Sequence, residues 1–312
     1  MIKNKEKNFA SAVIYVYNNE NEIKDMLKNI NEVLKEKFNK YEIICVNDAS
    51  TDNSISKIKE FANTLENEVL SVINMSYYQG VELAMNAGVD MAIGDFVYEF
   101  DSMISEKEKQ IVLDIYDKCL QGFDIVSASY GKSRTKFSAL FYKIFNKYSN
   151  TEYKINTENF RILSRRAINR VHSISATIPY RKAIYANCGL KTFNIEYKCE
   201  ENKKKKTNKQ VQKNRMDTAT SSLILFTNIG YKFSLTMSVI MIITTILVAL
   251  YSIIIFIGGH PVQGWTTTML FLAFSFFGLF MIMTIVLKYL EMLINLTFKK
   301  YKYMIESIDK LN

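Results

Sequence analysis

Cysteine is scarce and scattered. Cys45, Cys119, Cys188 and Cys199 stand far apart, and no two of them form a CxxC pair. That spacing excludes a disulfide framework and a thiolate zinc site, and leaves core or surface thiols of a reducing compartment. Histidine is scarcer still. His172 has no partner pattern and reads as structural, while His260 falls in a glycine-rich turn. Met1 to Ala10 are charged and lack an apolar core, so no signal peptide is expected.

Charge is absent from two stretches near the C-terminus, Phe233 to Ile257 and Thr266 to Leu287. About 20 such residues cross a hydrocarbon core roughly 30 Å thick, and buried core helices rarely stay uncharged for so long. The pattern predicts a hairpin of two transmembrane helices. Gly258 to Gly264 would be its far-side turn, with Trp265 at the headgroup level. Lys232 before the first span, and Lys288, Lys299, Lys300 and Lys302 after the second, predict that both termini face the cytoplasm. The expected division is a cytoplasmic α/β domain over 1–197 and a basic juxtamembrane segment over 198–232. Spans at 233–257 and 266–287 and a cytoplasmic tail at 288–312 complete it.

Interleaved aromatics are missing around the lysine run Lys203 to Lys206, and the run abuts a predicted span. Single-strand nucleic-acid binders need such aromatics, so the net charge of +9 is not assigned to nucleic acid. An anionic bilayer leaflet accounts for it. The lysines read either as a solvated, lipid-facing surface or as a grip on an anionic substrate at the membrane.

The first hundred residues alternate regularly. Ala12 to Val16, Ile43 to Val46, Val69 to Ile73 and Phe96 to Phe100 are short apolar runs of the buried-strand type. Between them, apolar residues recur at helical spacing, as in Ile23, Met26, Leu27, Ile30, Val33, Leu34 and Phe38. The order predicts a doubly wound, mostly parallel sheet with ligands beyond the carboxyl ends of its strands. Three polar groups sit at those ends: Tyr17 to Glu20, Asn47 with Asp48, and Asp101. On local grounds alone, Asp48 could be a turn-former with Ser50, Asp101 a strand-end cap, Asn159 a helix N-cap, and Arg165 and Arg166 surface helix charges.

These strand ends resemble the family 2 glycosyltransferases, and within them the polyprenyl-phosphate (bactoprenol or dolichol type) sugar transferases. Val13 to Glu20 is similar to the family's first strand and its V-Y-N-E element. Glu42 to Asp52 is similar to its E-I-I-x-V-N-D-G-S-T-D turn. Gly94 to Asp101 resembles the strand ending in its D-x-D, and Asn159 to Arg166 its D-F-R-L-L-S-R-R. Gly264 to Thr266 with Tyr289 and Leu290 resemble its C-terminal hairpin.

The resemblance implies a nucleotide-sugar-binding glycosyltransferase A type fold and an inverting transfer. A sugar would pass from a UDP- or GDP-sugar to a membrane polyprenyl phosphate, for cell-surface glycan synthesis. It implies nucleotide contacts at Tyr17, Asp48 and Asp101, and a Mg or Mn ion on Asp101. Catalytic positions follow at Asn159, Arg161 and Arg165, and a lipid-phosphate grip at Arg166 and Lys203, Lys204, Lys205 and Lys206. By analogy it implies a homo-oligomer in the membrane. The chain departs from the family pattern in several places. Met103 replaces the second Asp of D-x-D, Ser105 stands where some relatives carry a further oxygen ligand, and Asn159 replaces an Asp. Tyr77-Tyr78-Gln79-Gly80 replaces Arg-Asn-x-Gly. These departures keep a second reading open, a catalytically impaired relative acting as a membrane-bound binding or scaffold partner.

Overall fold

The computed structural model describes residues 5–130, 136–149, 153–174, 180–197, 209–257, 264–298 and 303–312. Two compact units emerge, one of residues 1–219 and 301–312, the other of residues 220–300.

In the first unit, β1 (Glu6–Val16), α1 (Ile23–Lys37), β2 (Phe38–Asn47), α2 (Ser54–Ala62), β3 (Val69–Met75), α3 (Val81–Met91) and β4 (Phe96–Phe100) follow the expected alternation. After them come α4 (Lys109–Leu120), β5 (Ile125–Ser129), α5 (Lys136–Tyr148), β6 (Phe160–Ser164), α6 (Arg165–Ile174), α7 (Arg181–Ala186) and β7 (Thr192–Glu196). The eight-stranded sheet, with β8 (Ile305–Lys310) at one edge, has the order β7-β5-β6-β4-β1-β2-β3-β8. Its β4-β1-β2-β3 centre is wholly parallel, as is the β5/β7 pair. The β4/β6, β5/β6 and β3/β8 pairs are antiparallel, so the sheet is mixed.

Both faces of the parallel centre are covered, which explains its nearly continuous apolar strands. Ala10, Ala12, Ile14 and Val16 of β1 join one core with Met26, Leu27, Ile30 and Leu34 of α1 and Ile58 and Phe61 of α2. Val112, Ile115 and Tyr116 of α4 complete it. On the other face α3 comes so close that a Cβ on Gly88 would lie 2.2 Å from Val13 Cγ1 and 2.7 Å from Val46 Cγ2. Cys45, Cys119 and Cys188 are free, buried thiols; Cys199 lies outside the described residues.

One element was unforeseen. The last residues, expected as a tail, form β8 along the free edge of β3, with Ser71 opposite Lys310 and Ile73 opposite Ile308. Their alternation of half-buried and exposed side chains is that of an edge strand with one face on the protein. The chain thus leaves the first unit and returns to it.

α8 (Lys209–Phe226) leads out of the first unit, and α9 (Ile229–Ile257) and α10 (Trp265–Phe298) form the second. Among the described residues no helix is long and apolar enough to cross a membrane. Large apolar side chains nevertheless stand exposed along both helices, among them Leu235, Ile243, Leu247 and Ile254 on α9. Leu272, Phe277, Phe280 and Leu287 do the same on α10. Residues 258–263 of the predicted turn Gly258 to Gly264, with His260, lie outside the described residues, as do Lys203 to Lys206 and Lys299, Lys300 and Lys302.

Candidate active site

The carboxyl ends of β1, β2 and β4 lie side by side in the sheet, and their sequels fold into one polar surface. The turns after β1 and β2 are stitched together. The Asn18 N–H donates to Ser50 Oγ at 3.1 Å, Asn19 N–H to Ser54 Oγ at 2.8 Å and Glu20 N–H to Asp52 Oδ2 at 2.9 Å. Two residues in these turns, Asn18 (φ 53°) and Ala49 (φ 55°), adopt the left-handed backbone. Asn does so readily; Ala does not.

Asp48 is fully buried just after β2. Its Oδ1 accepts the Gln79 N–H at 2.7 Å. Its Oδ2 accepts the Gly80 N–H at 2.8 Å and the Tyr15 hydroxyl at 2.9 Å. Burial raises the Asp48 carboxyl above its ordinary range, against the pull of those hydrogen bonds. Gly80 supplies its amide from φ 88°, and a Cβ there would lie 2.2 Å from Asn214 Nδ2 of α8, so only glycine fits. Beside Asp48, the Tyr17 and Tyr78 rings lie 4.5 Å apart at 48°. A flat base could pack against such a pair.

Asp101, at the end of β4, is held differently. Arg181 donates to its Oδ1 at 2.7 Å and Arg161 to its Oδ2 at 2.9 Å. Both guanidinium groups are buried. Arg161 also donates to Glu99 Oε2 at 2.8 Å, and its Nε lies 3.0 Å from Glu158. Arg181 reaches Glu82 Oε2 at 3.0 Å and lies 3.0 Å from Glu99 Oε1, which also accepts the Tyr185 hydroxyl at 2.9 Å. Two cations and four carboxylates therefore form one buried network. Burial works to raise the Asp101 carboxyl, but Arg181 and Arg161 hold it down at about 2.

The sequence-predicted residues divide by their place on β6. This strand runs antiparallel to β4, pairing Phe160 with Phe100, Arg161 with Glu99 and Ser164 with Phe96. Asn159 and Arg161 therefore come to the Asp101 end. Arg165 and Arg166 are carried about 15 Å away, to the opposite end of the strand, at some 3.3 Å per residue. Arg165 there donates to the carbonyls of Ala92 at 2.8 Å and Gly94 at 3.0 Å, and Arg166 Nε to Asp124 Oδ1 at 2.8 Å. The structure does not bring Arg165, expected as catalytic, or Arg166, expected at the lipid phosphate, to Asp101, and each guanidinium fastens the far end of the sheet. Asn159 is not a helix cap. It precedes β6, and its amide donates to the Tyr197 hydroxyl at 2.8 Å, which donates in turn to Glu108 Oε1.

A divalent metal finds little here. Both oxygens of Asp101 are engaged by guanidinium groups. Met103 packs partly buried against the apolar core and offers no oxygen. The Ser105 hydroxyl donates to Glu108 Oε2 at 2.9 Å. Among the described residues no group of three or more His, Cys, Asp or Glu side chains is placed to hold a metal ion. A hard cation wants several oxygen ligands, and the described residues do not fit one.

Sequence reasoning missed Glu99, Arg181, Glu82 and Gln79. Glu99 carried a signal, because a lone carboxylate in the apolar run of β4 needs a buried cationic partner. Arg181 carried none. It lies 80 residues from Asp101 in sequence, on a six-residue helix.

With the geometry in view, comparison with known proteins is direct. A family model described as glycosyl transferase family 2 matches residues 11–172. An uncharacterised glycosyltransferase of Synechocystis sp. is 29% identical over 187 residues, covering 58% of this chain and 58% of that protein. A prophage bactoprenol glucosyl transferase homologue of Escherichia coli is 28% identical over 193 residues, covering 60% of this chain and 62% of that protein. The chain thus spans about three fifths of the length of these curated relatives. A mannosyltransferase of Pyrobaculum calidifontis, solved in complex with GDP-Man and Mn2+, shares the fold. Its TM-score is 0.50 at 14% identity, over 89% of this chain and 88% of its own. The family match takes in β1 to β6, both carboxylates and Arg161, more than half of the sequence, and the chain belongs to glycosyl transferase family 2.

Proposed function

We propose that the chain moves a sugar from a UDP- or GDP-sugar to a membrane polyprenyl phosphate, with inversion at the anomeric carbon. The observation that carries this is the placing of Asp48, beside the Tyr17 and Tyr78 rings, and Asp101 at the ends of the two strands that flank β1. That surface suits a nucleotide whose base lies at the aromatic pair and whose sugar lies towards Asp101. An acceptor phosphate oxygen is already anionic near neutral pH, so it needs no general base. It would attack the anomeric carbon while the bond to the β-phosphate oxygen breaks and the nucleoside diphosphate leaves. The leaving charge needs cations. Since the described residues do not fit a metal, we assign those cations to protein side chains, with Lys203 to Lys206 as the candidate.

Membrane attachment belongs to the same proposal. α9 and α10 run to 29 and 34 residues, longer than the roughly 20 a bilayer needs, and exposed apolar side chains line both. Because β8 rejoins the first unit, an intervening hairpin that crosses a bilayer must cross it an even number of times. The proposal places the sugar-transferring unit and both termini in the cytoplasm. Assembly into a homo-oligomer is part of the same expectation.

A second reading has its own observation. Engagement of Asp101 by two arginines, with Met103 where a second carboxylate would stand, suits a nucleotide-binding membrane partner that no longer turns over. One experiment separates the two. The detergent-solubilised chain is titrated calorimetrically with UDP and GDP, with EDTA or with Mg2+ or Mn2+, and then given labelled nucleotide sugars and a polyprenyl phosphate. Label passing into the lipid fraction supports the transferase. Nucleotide binding without transfer favours the partner, and binding of neither nucleotide overturns both.

A further inference from the structure

Gln79 faces two ways. Its backbone N–H donates to Asp48 Oδ1 at 2.7 Å. Its side-chain amide grips the backbone of Met304, just before β8. Gln79 Nε2 donates to the Met304 carbonyl at 2.6 Å, and the Met304 N–H donates to Gln79 Oε1 at 2.9 Å. A primary amide carries donor and acceptor side by side, so it can satisfy both polar groups of one residue's main chain. The Ser76 N–H reaches the same carbonyl at 3.2 Å.

A second line of bonds runs in parallel. Ser307 of β8 accepts from Asn74 Nδ2 at 2.9 Å, and Asn74 Oδ1 accepts from Asn47 Nδ2 at 3.0 Å, next to Asp48 in sequence. On the other side of Met304, the Tyr303 hydroxyl donates to Asp90 Oδ2 of α3 at 2.8 Å. The chain end is thus fastened at three places, two of which lead to the carboxylate beneath the aromatic pair.

We propose that Gln79 is a positioning residue through which the C-terminal strand sets the shape of the nucleotide pocket. With β8 docked, the Tyr77 to Gly80 loop is fixed, its Gln79 and Gly80 amides aim at Asp48, and the Tyr78 ring is held against Tyr17. Released from β8, the loop loses its outer anchor. Binding is reciprocal, so a nucleotide that orders the loop also tightens the chain end on β3. The inference rests on reading the surroundings of Asp48 as the nucleotide site.

The test is hydrogen–deuterium exchange on the full chain in detergent, with and without saturating UDP or GDP, in the native protein and in Gln79→Ala. Calorimetric Kd values and melting curves accompany it. Gln79 is a half-buried loop residue, so the variant should fold, and the melting curve checks this. In the native chain the nucleotide should slow exchange in both 75–82 and 303–311. In Gln79→Ala it should bind about fivefold or more weakly, by the usual size of such couplings, and should leave 303–311 unprotected. Gln79→Glu keeps an acceptor for the Met304 N–H but loses the donor to its carbonyl, and should fall between. An unchanged Kd together with unchanged protection of 303–311 in Gln79→Ala overturns the inference and leaves the pocket standing. If neither nucleotide binds the native chain, the pocket itself is refuted and the inference with it.

Discussion

Asp48 and Asp101 end two strands that flank β1, yet the protein holds them by opposite means. Asp48 is surrounded by neutral donors, two backbone amides and a phenol. Asp101 lies between two buried guanidinium groups. Burial raises the first carboxyl, and arginines hold the second at about 2. The first arrangement depends on local backbone shape and on a loop set by the chain end. The second depends on charges delivered from distant segments. A loss at Asp48 should therefore be graded and reach binding, whereas a loss at Asp101 should be abrupt and reach folding.

The largest effect should come from Arg181→Met. It strips a buried cation from Glu82, Glu99 and Asp101 at once. Removing one partner of a buried pair costs about 3–5 kcal/mol, because the remaining charge stays desolvated. Thermal unfolding in detergent should show a fall of that order. A stability close to native would mean that the network is solvated and that the contrast with Asp48 is overstated.

Acid should separate the two sites next. A carboxyl lowered on folding contributes stability above its ordinary pKa of 3.8 and loses it as pH falls through about 2. For Asp101 that amounts to roughly 2 kcal/mol. Asp48 is raised on folding, so its contribution has the opposite sign, present below 3.8 and lost as pH rises through its folded value. Denaturant midpoints between pH 5 and pH 2 should fall less steeply in Asp101→Asn than in the native chain. In Asp48→Asn they should fall more steeply. Parallel curves would erase the distinction.

Asp48→Asn at neutral pH should cost about 1–2 kcal/mol, since the new NH2 faces an amide donor and leaves it unpaired. Nucleotide affinity should fall with stability, because the same amides shape the loop. Unchanged affinity in a destabilised variant would confine Asp48 to a structural role.

How far the sequence could be read follows the same divide. β1 to β4 and their helices were legible because each buried face is written in consecutive residues, period 2 or 3.6, within one stretch of chain. Asp48 and Asp101 were legible from their place at strand ends and from the family motifs. The distance of Arg165 and Arg166 from Asp101 was not legible, because a motif string does not show that β6 runs antiparallel to β4, so that each residue along it moves away from Asp101. β8 was hidden for another reason. Its six residues hold three charges and only two apolar side chains, Ile305 and Ile308, as an exposed edge strand can, and such a string looks like a tail until its partner is known. Gln79, at a position where the family motif leaves the residue open, had no signal at all.

The smallest predicted effect bears on the local side of the contrast. Ala49 directly follows Asp48 and sits at φ 55°, in the left-handed region that glycine enters freely. The left-handed conformation costs an L-residue about 1–2 kcal/mol. Glycine escapes that cost but gives up part of the gain, about 0.5–1 kcal/mol, through its freer unfolded chain. Ala49→Gly should therefore stabilise by about 0.5 kcal/mol, a small upward shift in the denaturant midpoint with an unchanged slope. The turn also ties Asn18 to Thr51 and Ser50, so relaxing it should leave nucleotide affinity equal or slightly better. A loss of affinity alongside the gain in stability would show that the strained backbone at Ala49 is itself what aims Asp48, as strain held at a functional site can do.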